Sequence, residues 1–324
     1  MSPGFRSAWT LLLLLALCAG MSTQAAAEPP ISRFNYNGDG RLHLINAKSG
    51  AVFNGVYRGA DGAFDPAARH AIQRVFDAPP DEPLAGISLR LIAFLDYLET
   101  QLNPGARIEI ASGWRSPTYN TQLRNTGRLA ASASLHQYGM AADIQIAGVD
   151  SRRVWHFVRD LGFGGAGFYQ GRLVHVDVGP ARFWDQTTSG VGTDISTENK
   201  LIGLVTDYDR YRPGDPVVLR FIRMTRFPVA VASMWSLEQV PADDGALETV
   251  APFKPHFTIA ADDPCPSFPD IGAMMNITGV LPDDLAPGRY GIRAHFCEKG
   301  AEAMPDTVVT PLFEVLERRA PTDF

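Results

Sequence analysis

The sequence has only three cysteines, no surplus of basic charge and, beyond its first residues, no apolar run long enough to cross a bilayer. Its 29 Lys and Arg are outnumbered by 35 Asp and Glu, a formal net charge of −6. Without a basic surplus the electrostatic footprint of a nucleic-acid binder is missing. A membrane-spanning helix needs about 20 consecutive apolar residues, and the run from Leu11 to Leu17 falls well short of that. Preceded by Arg6 and followed by small residues that end Ala25-Ala26-Ala27 before Glu28, it reads as a secretory signal peptide over 1–27. Lipidation at Cys18 would want a small residue before it, and Leu17 stands there. The mature chain is therefore expected in the periplasm or secreted, with no membrane insertion. Export leaves Cys265 and Cys297, and an even pair in an oxidising compartment is expected to form a disulfide.

No internal repeat is visible, and two suggestive loops lack the chemistry they hint at. Asn35-Tyr36-Asn37-Gly38-Asp39-Gly40 has a single carboxylate, with Asn46 where a calcium loop needs a bidentate Glu. Gly162 to Gly167 follows a helical pattern instead of opening one, and no P-loop Lys and Ser succeed it.

What is present divides in two. From Arg41 to Tyr57 two short apolar runs flank a turn and predict a hairpin. Helices are expected from Asp65-Pro66 to Phe76, from Ser88 through Leu98, from Pro117 to Arg124 and from Ser151 to Leu161. Strands are expected at Arg107–Ala111, Asp143–Ile146 and Leu173–Val178. This is an α+β pattern over 28–184, with a small antiparallel sheet and flanking helices. A Ser, Thr and Gly-rich stretch over 185–202 reads as a linker. Beyond it, over 203–324, turn signals separate runs such as Val217–Ile222, Val229–Val231, Phe257–Ala260, Tyr290–Phe296 and Leu312–Leu316, as expected of an all-β, immunoglobulin-like sandwich.

The chemistry is concentrated in Ser134-Leu135-His136-Gln137-Tyr138-Gly139-Met140-Ala141-Ala142-Asp143 and in Leu173-Val174-His175-Val176-Asp177-Val178. Zinc accepts imidazole, carboxylate and thiolate, and a catalytic zinc takes three protein ligands and keeps a fourth position open. His136, Asp143 and His175 fill that count. Small residues at Gly139, Ala141 and Ala142 let the chain turn tightly between the first two. On a strand His175 and Asp177 share a face, roughly 6–7 Å apart, so one can bind metal while the other moves a proton. Asp177 is the candidate general base, with orientation of a ligand as its alternative role. His43, His70, His156, His256 and His295 lack comparable neighbours and read as packing or surface residues.

Together, Ser134, His136, Gly139, Ala141 and Asp143 resemble the metal motif of the zinc D-Ala-D-Ala carboxypeptidases and murein endopeptidases. The resemblance extends to Gly113-Trp114-Arg115-Ser116-Pro117, similar to that family's G-Y-R-S-P segment. It also takes in Gly162 to Trp184, where a glycine-rich turn precedes V-H-V-D-x-G and a final R-x-W. It covers Leu42 to Trp184, is most similar to the periplasmic endopeptidase branch, and leaves the C-terminal region outside. It implies zinc on His136, Asp143 and His175, Arg115 steering substrate, and hydrolysis of an amide bond in peptidoglycan peptides. Several relatives carry a glutamate or histidine two or three residues before the last ligand, where this chain has Leu173 and Arg172; Asp177 is the substitute. A second reading keeps the zinc without the catalysis. As in the related hedgehog signalling domains, the ion would stabilise a module that binds murein or a protein, with an envelope protein as candidate partner of the C-terminal domain.

Overall fold

The computed structural model describes residues 32–317, except 81–85, 129, 192, 242–244 and 259–262. The expected signal peptide, 1–27, lies outside the described residues.

Strands β1 (Arg41–Asn46) and β2 (Val52–Val56) form the hairpin, with Leu44 opposite Phe53. Helix α1 (Pro66–Val75) starts where sequence chemistry places it: the Asp65 carboxylate accepts the N–H groups of Ala67 and Ala68, and Pro66 occupies the first turn. Helix α2 (Leu89–Leu102) is buried along most of its length, which is why its apolar residues run almost all round. Then come β3 (Ile108–Ser112), α3 (Pro117–Asn125, capped by Ser116), β4 (Ala141–Ile146), α4 (Ser151–Leu161), β5 (Gly165–Phe168), β6 (Val174–Asp177) and β7 (Arg182–Asp185).

These strands form one seven-stranded sheet in the order β2-β1-β3-β4-β6-β5-β7. It is larger than the small antiparallel sheet expected, and it is mixed, because β1 and β3 run parallel, as do β5 and β7. The long excursion through α1 and α2 between β2 and β3 is what permits the first parallel pair. Two rows across the sheet matter for the site. Ser112, Asp143, His175, Gly167 and Trp184 are successive partners on β3, β4, β6, β5 and β7, and the adjacent row runs Ala141, Asp177, Gly165, Arg182.

The rest of the chain is all-β among the described residues, apart from short 3-10 turns: β8 (Gly203–Thr206), β9 (Arg210–Tyr211), β10 (Pro216–Ile222), β11 (Val229–Val231), β12 (Trp235–Gln239), β13 (Glu248–Phe253), β14 (Ser267–Phe268), β15 (Ile277–Val280), β16 (Gly288–Glu298), β17 (Thr307–Val309) and β18 (Phe313–Val315). A three-stranded sheet, β15-β10-β8, faces a larger one built on the long β16. Phe221 of β10 meets Trp235 and Phe296 of the second sheet at 5.8 and 5.7 Å between ring centroids. The strand pairings give two packed sheets but do not establish the immunoglobulin-like order expected. The strand expected at Phe257–Ala260 is not found at Phe257 and Thr258, and residues 259 and 260 lie outside the described residues; pairing occurs earlier, in β13. Phe257 is apolar for a different reason, since its ring packs on Trp235 and Phe268. Cys265 is bonded to Cys297.

The two regions share one continuous core. Arg90 of α2 pairs with Asp209 at 2.8 Å and donates to the Thr206 carbonyl at 2.9 Å. The polar stretch between the regions is tied down as well. Asn199 Oδ1 accepts from the backbone N–H groups of Thr225 and Arg226, and its amide donates to the Arg226 carbonyl. No helix among the described residues is long and apolar enough to cross a membrane.

Candidate metal centre

The segment before β4 is a single 3-10 turn, Leu135–Tyr138, which ends at Gly139 with φ of 62°. Only glycine takes that left-handed backbone at no cost, and here it also lies against the backbone of Gly86, where a Cβ would clash. The turn faces the buried His136 ring towards β4 and β6, where Asp143 and His175 sit opposite one another in register. Ligand atoms of His136, Asp143 and His175 all lie within 4.8 Å of one another, the single such group of three or more among the described residues.

Hydrogen bonds on the outer sides of the rings decide what faces inward. His136 Nδ1 lies 2.7 Å from the Gly113 carbonyl oxygen, which can only accept, so Nδ1 carries the proton and Nε2 presents a lone pair. His175 Nε2 lies 2.9 Å from Asp177 Oδ2, so by the same logic Nδ1 is the inward atom. These two nitrogens are 3.3 Å apart, and Asp143 Oδ1 is 3.1 Å from His175 Nδ1 and 3.6 Å from His136 Nε2. Three electron-rich atoms thus converge at the spacing of tetrahedral zinc ligands, ~3.3 Å for bonds of about 2.0–2.1 Å. Two imidazoles and one carboxylate, each with an outer partner, fit a divalent transition ion.

Local electrostatics favour a neutral His136 and an ionised Asp143. Burial, followed by the charge of Arg115, lowers the pKa of His136 to about 4. Burial alone would raise Asp143, but the two imidazoles beside it hold it well below the ordinary carboxylate range, so it is ionised. Burial also works to lower His175, yet its bonds to Asp143 and Asp177 outweigh that and raise it, so a proton competes with a metal at this ring.

Asp177 lies behind the His175 ring, fully buried. Its carboxylate accepts from His175 Nε2, from the Gly179 N–H at 2.9 Å and from Arg182 at 2.8 Å. Arg182 reaches it across Gly165, the residue between them in the sheet row, where any Cβ would overlap the carboxylate. Arg115 donates through Nη2 to Asp143 Oδ2 at 2.9 Å and through Nε to Ser112 Oγ at 3.0 Å. It thereby leaves Asp143 Oδ1 to the cluster.

A cavity of about 300 Å³ opens on the two histidines and is lined also by Arg115, Tyr169, Arg182, Trp184 and Arg223. Burial, and then the charge of Asp143, raises the phenol of Tyr169, so it keeps its proton. The Trp184 ring lies 5.1 Å from that of His175, beyond Gly167 in the shared row. Tyr169 and Arg223 were not anticipated. Tyr169 lies two residues past the glycine-rich Gly162 to Gly167, a positional signal that Arg223 lacks. A larger depression of about 740 Å³ at the other end of the junction shares no residue with the cluster.

Residues 37–184 match the family model Peptidase_M15_2, described as Peptidoglycan L,D-endopeptidase MepK. The Haemophilus influenzae protein named Probable peptidoglycan L,D-endopeptidase MepK is 38% identical over 95 residues, 28% of this chain and 51% of that protein. The Escherichia coli K12 Peptidoglycan L,D-endopeptidase MepK is 36% identical over 78 residues, 24% of this chain and 43% of that protein. The chain thus spans about half the length of the curated relatives it matches. A solved structure, the sporulation control protein Spo0M of Bacillus subtilis, is 12% identical with a TM-score of 0.22, over 37% of this chain and 49% of that one, too slight a likeness to bear on the fold. The matched segment, which ends at the same Trp184 as the sequence resemblance, is thus similar to the peptidoglycan L,D-endopeptidases.

Proposed function

We propose that this protein is a zinc-dependent endopeptidase that hydrolyses an amide bond in peptidoglycan peptides, in the periplasm or after secretion. The supporting observation is the convergence of His136 Nε2, Asp143 Oδ1 and His175 Nδ1, with the outer nitrogens of both rings engaged by the Gly113 carbonyl and by Asp177. The names of the matched relatives favour an L,D bond. In this reading residues 28–184 are the catalytic domain, 185–202 the connection and 203–324 a β-sandwich.

A divalent ion held by these three residues supplies Lewis acidity, which polarises the substrate carbonyl and activates water. The side chains do the rest. Arg115 fixes Asp143 and turns its remaining N–H groups to the substrate carbonyl. Tyr169 donates its phenolic proton as a hydrogen bond to the oxygen on which charge develops. Asp177 takes the orienting role of the two considered, since all its bonds run to His175, Gly179 and Arg182 and it sits behind the ligand ring.

One observation favours a noncatalytic murein-binding module: the described cavity lining contains no Asp or Glu to receive a proton. Incubation of the purified chain with muropeptides, with and without chelator, followed by mass spectrometry, separates the readings. Chelator-sensitive release of a peptide supports the enzyme, and binding without products supports the module.

A further inference from the structure

Arg223 belongs to the C-terminal region, directly after β10, yet it lines the cavity that holds His136 and His175. Its φ of 61° is in the left-handed region, uncommon for a residue with a long side chain. That backbone is held from the metal-binding segment itself: the Met224 N–H donates to the hydroxyl of Tyr138 at 3.0 Å, and Tyr138 is fully buried two residues after His136. A strained backbone maintained by a neighbouring element commonly marks a functional position.

The charges around the cavity are uneven. Arg115 is paired with Asp143 and Arg182 with Asp177, but Arg223, half-buried, makes no ion pair among the described residues. Burial, and then the charge of Arg182, lowers its pKa to about 10, which still leaves it cationic at neutral pH. A partly desolvated guanidinium beside a second one, with no direct carboxylate partner and with the charge of Asp177 already paired to Arg182, is unfavourable unless an anion joins it. Guanidinium forks match carboxylates in geometry.

We propose that Arg223 binds a free carboxylate of the peptide substrate, so that the C-terminal region completes the catalytic cleft and sets a preference for anionic peptides. This rests on the peptidase reading of the metal centre. It also gives the junction between the two regions a function, because the loop bearing Arg223 is positioned by Tyr138.

The test uses the full-length chain, a synthetic stem peptide with free carboxylates, and the same peptide with those carboxylates amidated. Arg223→Asn removes the charge while tolerating the left-handed backbone, and Arg223→Lys restores the charge without the fork. Thermal melting confirms that each variant folds. Binding is measured by calorimetry on the metal-depleted chain, and cleavage by KM and kcat on the zinc-loaded one. Arg223→Asn is expected to raise Kd and KM for the free-acid peptide by about ten- to a hundredfold, to keep kcat within a few-fold and to leave the amidated peptide unaffected; Arg223→Lys recovers part of the loss. Equal behaviour of wild type and Arg223→Asn towards the free-acid peptide, or equal losses for both peptides, overturns the proposal. Arg223-dependent binding without cleavage sinks the peptidase reading and leaves the carboxylate site standing. Cleavage indifferent to Arg223 does the reverse, and a chain that neither binds nor cuts the peptide overturns both.

Discussion

Asp177→Asn separates the two roles open to that residue. The substitution keeps shape and removes charge at a fully buried side chain that accepts from His175 Nε2 at 2.9 Å, the Gly179 N–H at 2.9 Å and Arg182 at 2.8 Å. An amide has one oxygen for these donors, so its NH2 replaces either Oδ2, where it opposes the His175 N–H and Arg182, or Oδ1, where it opposes the Gly179 N–H and Arg182. If Asp177 orients His175, the loss appears in metal binding: partners behind a ligand contribute about 10–100-fold in affinity, or roughly 1.4–2.8 kcal/mol. Zinc affinity is read by competition with a chelating dye, and kcat at saturating zinc. The expected result is weakened zinc binding with kcat restored to within a few-fold once the site is filled. A general base instead contributes roughly 10²–10⁴-fold to rate. A variant that binds zinc like wild type and loses kcat on that scale would refute the orienting role.

Further outcomes follow from the same geometry. Gly165→Ala places a methyl group between Asp177 and Arg182, so urea unfolding should show a loss of about 1–3 kcal/mol, and zinc affinity should fall with it. Acidification should release metal, because His175 is the ligand whose pKa is raised while His136 stays neutral down to about 4. Below the pKa of His175 the logarithm of the zinc association constant should fall by about one per pH unit, one proton replacing one metal, and an affinity flat between neutral and mildly acidic pH would contradict this. Replacing both Cys265 and Cys297 by Ser opens a link spanning 32 residues; the chain-entropy relation gives a loss of about 3–4 kcal/mol, with metal stoichiometry unchanged.

Much of the N-terminal half is legible in the sequence because its signals are local. Asp65-Pro66 marks the start of α1, Gly162 the end of α4, and apolar spacing gives the face each helix buries. His136, Asp143 and His175 stand out because small residues surround a spaced set of ligand types. What each side chain does with its neighbours is not local. Asp177 is two residues from His175 on the same face in either role, and only the pairing of β6 with β5 and β5 with β7 shows Arg182 reaching it over Gly165. The parallel pairs β1–β3 and β5–β7 join distant segments, so no local pattern announces the mixed sheet. In the C-terminal region short strands and packed aromatics look alike, which is why Phe257 suggested a strand where the ring only fills the core. Arg223 sits in a turn with no motif, and the contact of Tyr138 with Met224 that brings it to the cavity is purely tertiary.

The proposed chemistry depends on a divalent ion shared by His136, Asp143 and His175. Elemental analysis of the purified chain, paired with anomalous diffraction at the zinc edge, tests this directly. One ion per chain, bonded to His136 Nε2, Asp143 Oδ1 and His175 Nδ1 and lost in His136→Ala, is the predicted result. A metal-replete preparation with no ion at these atoms, or with one bound elsewhere and retained by His136→Ala, would contradict it.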